Sequence, residues 1–472
     1  MVFNIHKLSS TILFYLIFII KTNFSKPITE SVNSKNNIKD DSINSINYQL
    51  SNNKQIPNKN ILNINNFNVL NSKRNLLKDD KVIDLYLLNN GNAIYELDSY
   101  LGSSSQSLKL LINTGEEYSW LINRTCTNCT VSYSYYDKSL SNTYKSLDKR
   151  VDIPFSKGIK FNLNGVLSQD GIRFIGMTAP FTYQFALIDN MNGTINIPLD
   201  GSIGLSPIKS TSTENNLMYY LKKNNITKNQ NFGIFTGSQE QNSILTLGGY
   251  NKDIVKNTSN IFYCDSEKDS SSWNCPSTNI KFSNSTHNNT INIARKIIFD
   301  SVTNLITMPK SDFLLLKDYI FRDSNDCEYF SDNVFHCVCN SVDFTTNTAF
   351  PKISFELNGG NTVVSLDSDD YVYLDTQMVL PDSTCLIAIR LSYSNSDEWV
   401  LGNNFLRNYY TIYNNDNNTI GFYDIRQGGY GSYGMIVIVT AAVVAAAIFL
   451  FSTLYCIYKR CMRTNNRQEN LL

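Results

Sequence analysis

The 472 residues carry 41 Lys plus Arg against 41 Asp plus Glu, so the formal charge is zero and gives no reason to expect nucleic acid or a strongly acidic partner. A chain of this length can bury two substantial cores.

At the N-terminus, Lys7 precedes the uncharged run Thr11 to Ile20, which is short for a bilayer span but has the length and charged flank of a secretory signal. Residues 1–25 therefore read as a signal peptide cut near Ser25. The alternative is an uncleaved anchor, because Lys21 and the lack of small residues make the cleavage site poor. Residues 26–80 are polar and Asn-rich, with few aromatics and no clear period, and are expected to be disordered.

Beyond residue 80 the pattern is all-β. Short runs such as Ile353-Ser354-Phe355-Glu356-Leu357 and Thr411-Ile412-Tyr413 alternate in polarity and end in Asn, Asp or Gly clusters. One unit occurs twice: an apolar strand into an Asn or Asp turn, followed later by apolar-apolar-Gly. It is seen at Leu110 to Gly115 with Ile203-Gly204, and at Ile297 to Val302 with Leu401-Gly402. Two such units imply two β lobes, 81–250 and 251–427, facing one cleft, which is the default ligand site.

Residues 428–434 form a Gly-rich linker. Met435 to Tyr458 is uncharged for 24 residues and is followed by Lys459, Arg460, Arg463 and Arg467. This predicts one transmembrane helix with a cytosolic tail over 459–472, a type I orientation in the secretory pathway. A buried core helix is the other reading, but no lobe is left for it to join.

Eight cysteines fall on the luminal side: Cys126, Cys129, Cys264, Cys275, Cys327, Cys337, Cys339 and Cys385. An even number in an oxidising compartment favours disulfides over zinc, with 105 possible pairings. Neither metal nor cofactor is expected. Cys456 and Cys461 stand at the cytosolic membrane edge, as free thiols or palmitoylation sites. The sequons at Asn123, Asn128 and Asn192 are candidate glycosylation acceptors.

From Tyr95 to Ile425 an ordered series of motifs resembles the pepsin-like aspartic peptidase family. Tyr95 to Gly102 is similar to its entry strand, and Asn113-Thr114-Gly115-Glu116-Glu117-Tyr118-Ser119-Trp120 to its first active-site loop and following tryptophan. Leu199 to Leu205 is similar to the strand that closes that loop, and Leu245 to Tyr250 to the inter-lobe strand. Phe299-Asp300-Ser301-Val302-Thr303 resembles the second active-site loop, and Trp399 to Tyr410 its closing strand. The resemblance implies an all-β, bilobal pepsin-like fold in which two aspartates share one proton and one water to hydrolyse peptides. It also implies a Cys126–Cys129 bridge and a second-lobe bridge to Cys385. Residues 26–80, with Lys73, Arg74 and Lys78 and with Lys81 directly after them, occupy the place of the family's inhibitory prosegment.

Four departures touch the implied chemistry. Asn113 stands at the first aspartate, and its amide can neither give nor take a transferable proton. Val302 replaces the glycine two positions after Asp300, where backbone approaches closely. Glu116 replaces the small hydroxyl residue that hydrogen-bonds the first aspartate, and Phe155 in the flap replaces a tyrosine. Thr114, Gly115, Thr303 and Trp120 match the family pattern.

The expected function is a membrane-anchored, monomeric homologue that binds a peptide or protein segment in its cleft without cutting it. One alternative is an active endopeptidase in an acidic lumen that uses Asp300 with Glu116. The other is a structural surface glycoprotein.

Overall fold

The computed structural model describes residues 81–426 apart from 90–94, 130–133, 155–161, 193–199, 238–242, 284–287, 315–326, 330–333, 339–349, 375–383 and 393–395. Outside the described residues lie the expected signal peptide, the Asn-rich segment, the linker, the 435–458 span and the tail. Phe155, Cys339, Cys456 and Cys461 also lie outside them. Among the described residues no helix is long and apolar enough to cross a membrane.

Strands follow the period-2 pattern. Along Lys352–Leu357 every second residue, Ile353, Phe355 and Leu357, is buried, and along Asn162–Phe174 the alternation buries Leu163 and Leu167, shifts by one where Leu167 and Ser168 are both buried, and goes on to bury Ile172 and Phe174. Burying one face of each strand removes roughly 1.5 to 3 kcal/mol of apolar exposure per large side chain. The strands form two sheets, one of 13 and one of 11, so the described chain is mostly β and bilobal.

The last two strands join the sheet of the first half. Tyr409–Asn414 pairs with Asn231–Phe235, and Thr419–Asp424 pairs with Ile261–Asp265. Stretches on both sides of residue 250 therefore share the 13-stranded sheet. A disulfide from Cys264, on its edge strand, to Cys275, on Asn274–Ser283 of the other sheet, ties the two sheets together. At a sequence separation of 11, such a cross-link contributes about 3 kcal/mol by restricting the unfolded chain. Cys126 and Cys129 are also bonded, the pairing the resemblance implied. The backbone register sets Cys337 opposite both Cys327 and Cys385.

The twice-occurring unit becomes the same device in each half. Gln106–Asn113 runs parallel to Gly201–Gly204 with Asn113 opposite Gly204. Arg295–Phe299 runs parallel to Glu398–Leu401 with Phe299 opposite Leu401. Glycine is required at the end of each closing strand because backbone presses on it. A β-carbon on Gly204 would sit 2.8 Å from the Glu116 and Tyr118 carbonyl oxygens, and one on Gly402 only 1.9 Å from the Thr303 carbonyl oxygen. One apolar cluster runs behind both units, including Ile112, Ile203, Phe299, Leu401 and Phe422. A smaller one, with Leu111, Trp120, Ile122, Ile153 and Leu163, flanks the first unit.

Of the sequon asparagines named above, Asn128 and Asn192 are exposed while Asn123 is buried.

Candidate active site

The first strand of each repeated unit delivers one residue at its C-terminal end to the same place. Asn113 ends that of the first unit, Asp300 follows that of the second, and both are buried. A β-carbon on Gly115 would lie 3.4 Å from both Asn113 Oδ1 and Asp300 Oδ2, so the two side chains flank a single point.

The loops are held together reciprocally. The Thr114 backbone N–H donates to Ser301 Oγ at 3.1 Å and the Ser301 N–H to Thr114 Oγ1 at 3.0 Å. Each hydroxyl then donates onward, Thr114 Oγ1 to the Phe299 carbonyl at 3.2 Å and Ser301 Oγ to the Ile112 carbonyl at 2.7 Å. All these groups are buried, so any one left unpaired would cost about 1 to 3 kcal/mol. Short hydroxyl side chains at 114 and 301 therefore fix the separation of the residues beside them. Asn403 adds a third support by donating its amide to the Ser301 carbonyl at 2.8 Å.

Around each central side chain the backbone repeats. The Gly115 N–H donates to Asn113 Oδ1 at 2.9 Å, and the Val302 N–H donates to Asp300 Oδ1 at 2.9 Å. Valine thus keeps the backbone contact that glycine makes in the other loop. Its side chain is half-buried and packs against the Leu111, Trp120, Ile122 and Ile153 cluster of the opposite half.

Three residues on, the loops diverge. Thr303 Oγ1 donates to Asp300 Oδ2 at 3.0 Å. In the other loop Asn113 Nδ2 donates to Glu116 Oε2 at 3.1 Å. Trp120 Nε1 donates to the same Glu116 oxygen at 2.9 Å. Glu116 is buried, and burial pushes its carboxyl up to about 8, with the Asp300 charge adding in the same direction. Hydrogen bonds from Trp120, Ser202 and Asn113 only partly oppose that rise. Glu117, next in sequence, faces elsewhere and pairs with Lys209 at 2.7 Å.

The structure therefore brings Asn113, Thr114, Gly115, Glu116, Trp120, Asp300, Ser301, Val302 and Thr303 into one site. Sequence reasoning counted Ser301 among the residues supporting the site without naming its contacts, and gave Asn403 no part. The signal available for Ser301 was its position matching Thr114 in the repeat; for Asn403 it was its place directly after the closing Gly402. Among the described residues no group of His, Cys, Asp or Glu is arranged to hold a metal.

Residues 95–425 match the family described as eukaryotic aspartyl protease. The chain belongs to that family. Mucorpepsin of Rhizomucor pusillus is 22% identical over 364 residues, covering 71% of this chain and 79% of that protein. Plasmepsin VIII of Plasmodium berghei is 24% identical over 335 residues, covering 68% and 84%. A probable aspartic-type endopeptidase CTSD of Trichophyton verrucosum is 21% identical over 327 residues, covering 68% of this chain but 59% of that relative. In this member Asn113 and Asp300 face one point between two paired loops that the Thr114 and Ser301 hydroxyls interlock.

Proposed function

We propose that this chain is a membrane-tethered member of the aspartyl protease family, carried through the secretory pathway, whose cleft holds peptide segments without cutting them. The observation that carries this reading is the commitment of the Asn113 side chain. Its carbonyl is taken by the Gly115 N–H, and its amide donates to Glu116. A shared-proton mechanism needs a second carboxyl opposite Asp300, and an amide supplies no transferable proton. Loss of one general acid or base typically costs about 10²- to 10⁴-fold in rate, with the larger end expected for residues that act as a unit.

Glu116 is a poor substitute as placed. Its Oε2 already accepts two N–H groups and its Oε1 is buried. Peptide binding is favoured over an idle scaffold because the hydroxyl interlock and both closing strands are retained around the site. The disulfides Cys126–Cys129 and Cys264–Cys275 fit an oxidising lumen, and the uncharged run Met435 to Tyr458 before a basic tail supplies the tether.

The test uses the purified full-length chain and a mixed peptide library between about pH 3 and pH 6, the range in which a shared-proton dyad operates. Intact peptides should be retained and no fragments should form above background. Cleavage that disappears in Asp300→Ala would overturn the reading. For the tether, protease added to vesicles with the cytosolic face outward should trim the tail beyond Lys459 and spare the lobes; the reverse pattern would refute the topology.

A further inference from the structure

Two buried carboxyl side chains in this molecule each accept a tryptophan indole N–H, and they are neutralised differently. Asp312 accepts from Trp399 Nε1 at 2.8 Å and is gripped by Arg295, whose Nε lies 2.9 Å from Oδ2. Glu116 accepts from Trp120 Nε1 at 2.9 Å. The groups acting most strongly on it are Trp120, Ser202, Asp300 and Asn113, none of them a cation. An ionised carboxylate without a counter-charge in such a place is costly, and the usual outcome is that it takes a proton.

The distribution of donors agrees. Both N–H groups, from Asn113 and Trp120, fall on Oε2, while Oε1 is buried and receives none. That is the pattern of a neutral acid whose carbonyl oxygen is Oε2 and whose hydroxyl is Oε1. The Ser202 hydroxyl, close enough to act on this carboxyl, is itself buried and makes no other hydrogen bond, so it is free to turn its oxygen toward a protonated Oε1.

We infer that Glu116, as an uncharged acid, is the positioning residue of the cleft floor: it takes one amide N–H of Asn113 and thereby fixes the asparagine with its other N–H as a donor for the carbonyl oxygen of a bound peptide. This rests on the peptide-holding reading above. Asn113 could otherwise turn its amide over and offer oxygen where it now offers nitrogen, since the two ends are nearly equal in size. The Gly115 N–H on Oδ1 and the Glu116 acceptor on Nδ2 select one orientation from opposite ends, and only Glu116 does so through a side chain that can change its charge. In the second loop the matching position is a hydroxyl donor, which suits the carboxylate of Asp300. The first loop has changed both members of the pair together.

The experiment compares full-length wild type, Glu116→Gln and Glu116→Ala from pH 4.5 to 9, reading thermal unfolding and binding of a capped decapeptide mixture. The carboxyl is raised, so its contribution to stability is complete below its ordinary 4.5 and is lost as pH rises through about 8. Wild type should therefore lose Tm relative to Glu116→Gln across that window, and peptide binding should weaken in parallel. Glutamine keeps a carbonyl for the two N–H donors and an NH₂ for Ser202, so its profile should be flat in the same window. Glu116→Ala should bind peptide roughly tenfold more weakly at pH 5 even at temperatures where it remains folded. A wild-type profile parallel to that of Glu116→Gln, or a glutamine variant as impaired as alanine at pH 5, would overturn the assignment. If no variant binds peptide, the functional reading fails, and the Tm difference between wild type and Glu116→Gln still decides the state of Glu116.

Discussion

At Asp300 the side chain three residues on, Thr303, gives its hydroxyl hydrogen to the carboxyl; at Asn113 the side chain three residues on, Glu116, receives the amide hydrogen instead. Everything beneath this pair of contacts is shared. Both loops end a strand that lies parallel to a closing strand, both place a backbone N–H 2.9 Å from the central side chain, and each locks the other through a hydroxyl. The comparison separates scaffold from chemistry. Contacts made by backbone and by Thr114 or Ser301 hold the loops whatever the central residues are, so the reactive pair can change without disturbing the fold. The direction of one hydrogen bond can reverse only if both of its members change.

The largest expected effect comes from reversing that direction. Asn113→Asp alone puts a carboxylate against the Glu116 carboxyl, so one proton must be shared between them and little peptide cleavage should appear. Combining Asn113→Asp with Glu116→Ser and Val302→Gly restores a hydroxyl donor and removes the branched side chain that reaches the Trp120 cluster. Cleavage at about pH 3 to 6 should then exceed that of Asn113→Asp by about 10²-fold or more, because residues acting through one bound water couple strongly. Equal rates for the single and triple variants would show that the two loops differ in more than these three positions.

The closing glycines test whether the shared scaffold is equally tight. Gly402→Ala would drive a methyl to 1.9 Å from the Thr303 carbonyl, whereas Gly204→Ala meets the Glu116 and Tyr118 carbonyls at 2.8 Å. Overpacking costs typically about 1 to 3 kcal/mol and occasionally more, so Gly204→Ala should fall within that range and Gly402→Ala beyond it. Urea unfolding of the two variants gives the ranking directly; the opposite order would mean that the second loop yields more easily than the first.

How much of this was legible in the sequence follows the same division. The strand, turn and apolar-apolar-Gly series is a local pattern, and it located Asn113 and Asp300 together because backbone pairing is written in alternation and in glycine. The identity of Asn113 was equally plain. The role of Glu116 was not, since a carboxylate near a cleft reads first as a replacement acid; only the Trp120 contact and its burial place it behind Asn113. Val302 was read as a crowding residue, and sequence could not tell that its side chain finds apolar neighbours across the lobe junction. The return of Tyr409–Asn414 to Asn231–Phe235 in the first half is a long-range pairing that alternation along one strand does not encode.

The smallest expected effect lies where the two loops differ by one methyl group. Ser301 and Thr114 play the same part, each accepting the other's N–H and donating to the carbonyl before the other's central residue. Ser301→Ala leaves the Thr114 N–H and the Ile112 carbonyl without their partner in a buried place, so it should lose about 1 to 3 kcal/mol. Thr114→Ala should lose a similar amount, and the double variant should lose less than the two together, because both remove one interlock. Ser301→Thr retains the hydroxyl and makes the two loops alike. Its unfolding midpoint should stay within about 0.5 kcal/mol of wild type, the range of a substitution that breaks none of these contacts. A loss comparable to Ser301→Ala would mean that the second loop has no room for the methyl that Thr114 carries in the first, and the likeness of the two halves would end at that carbon.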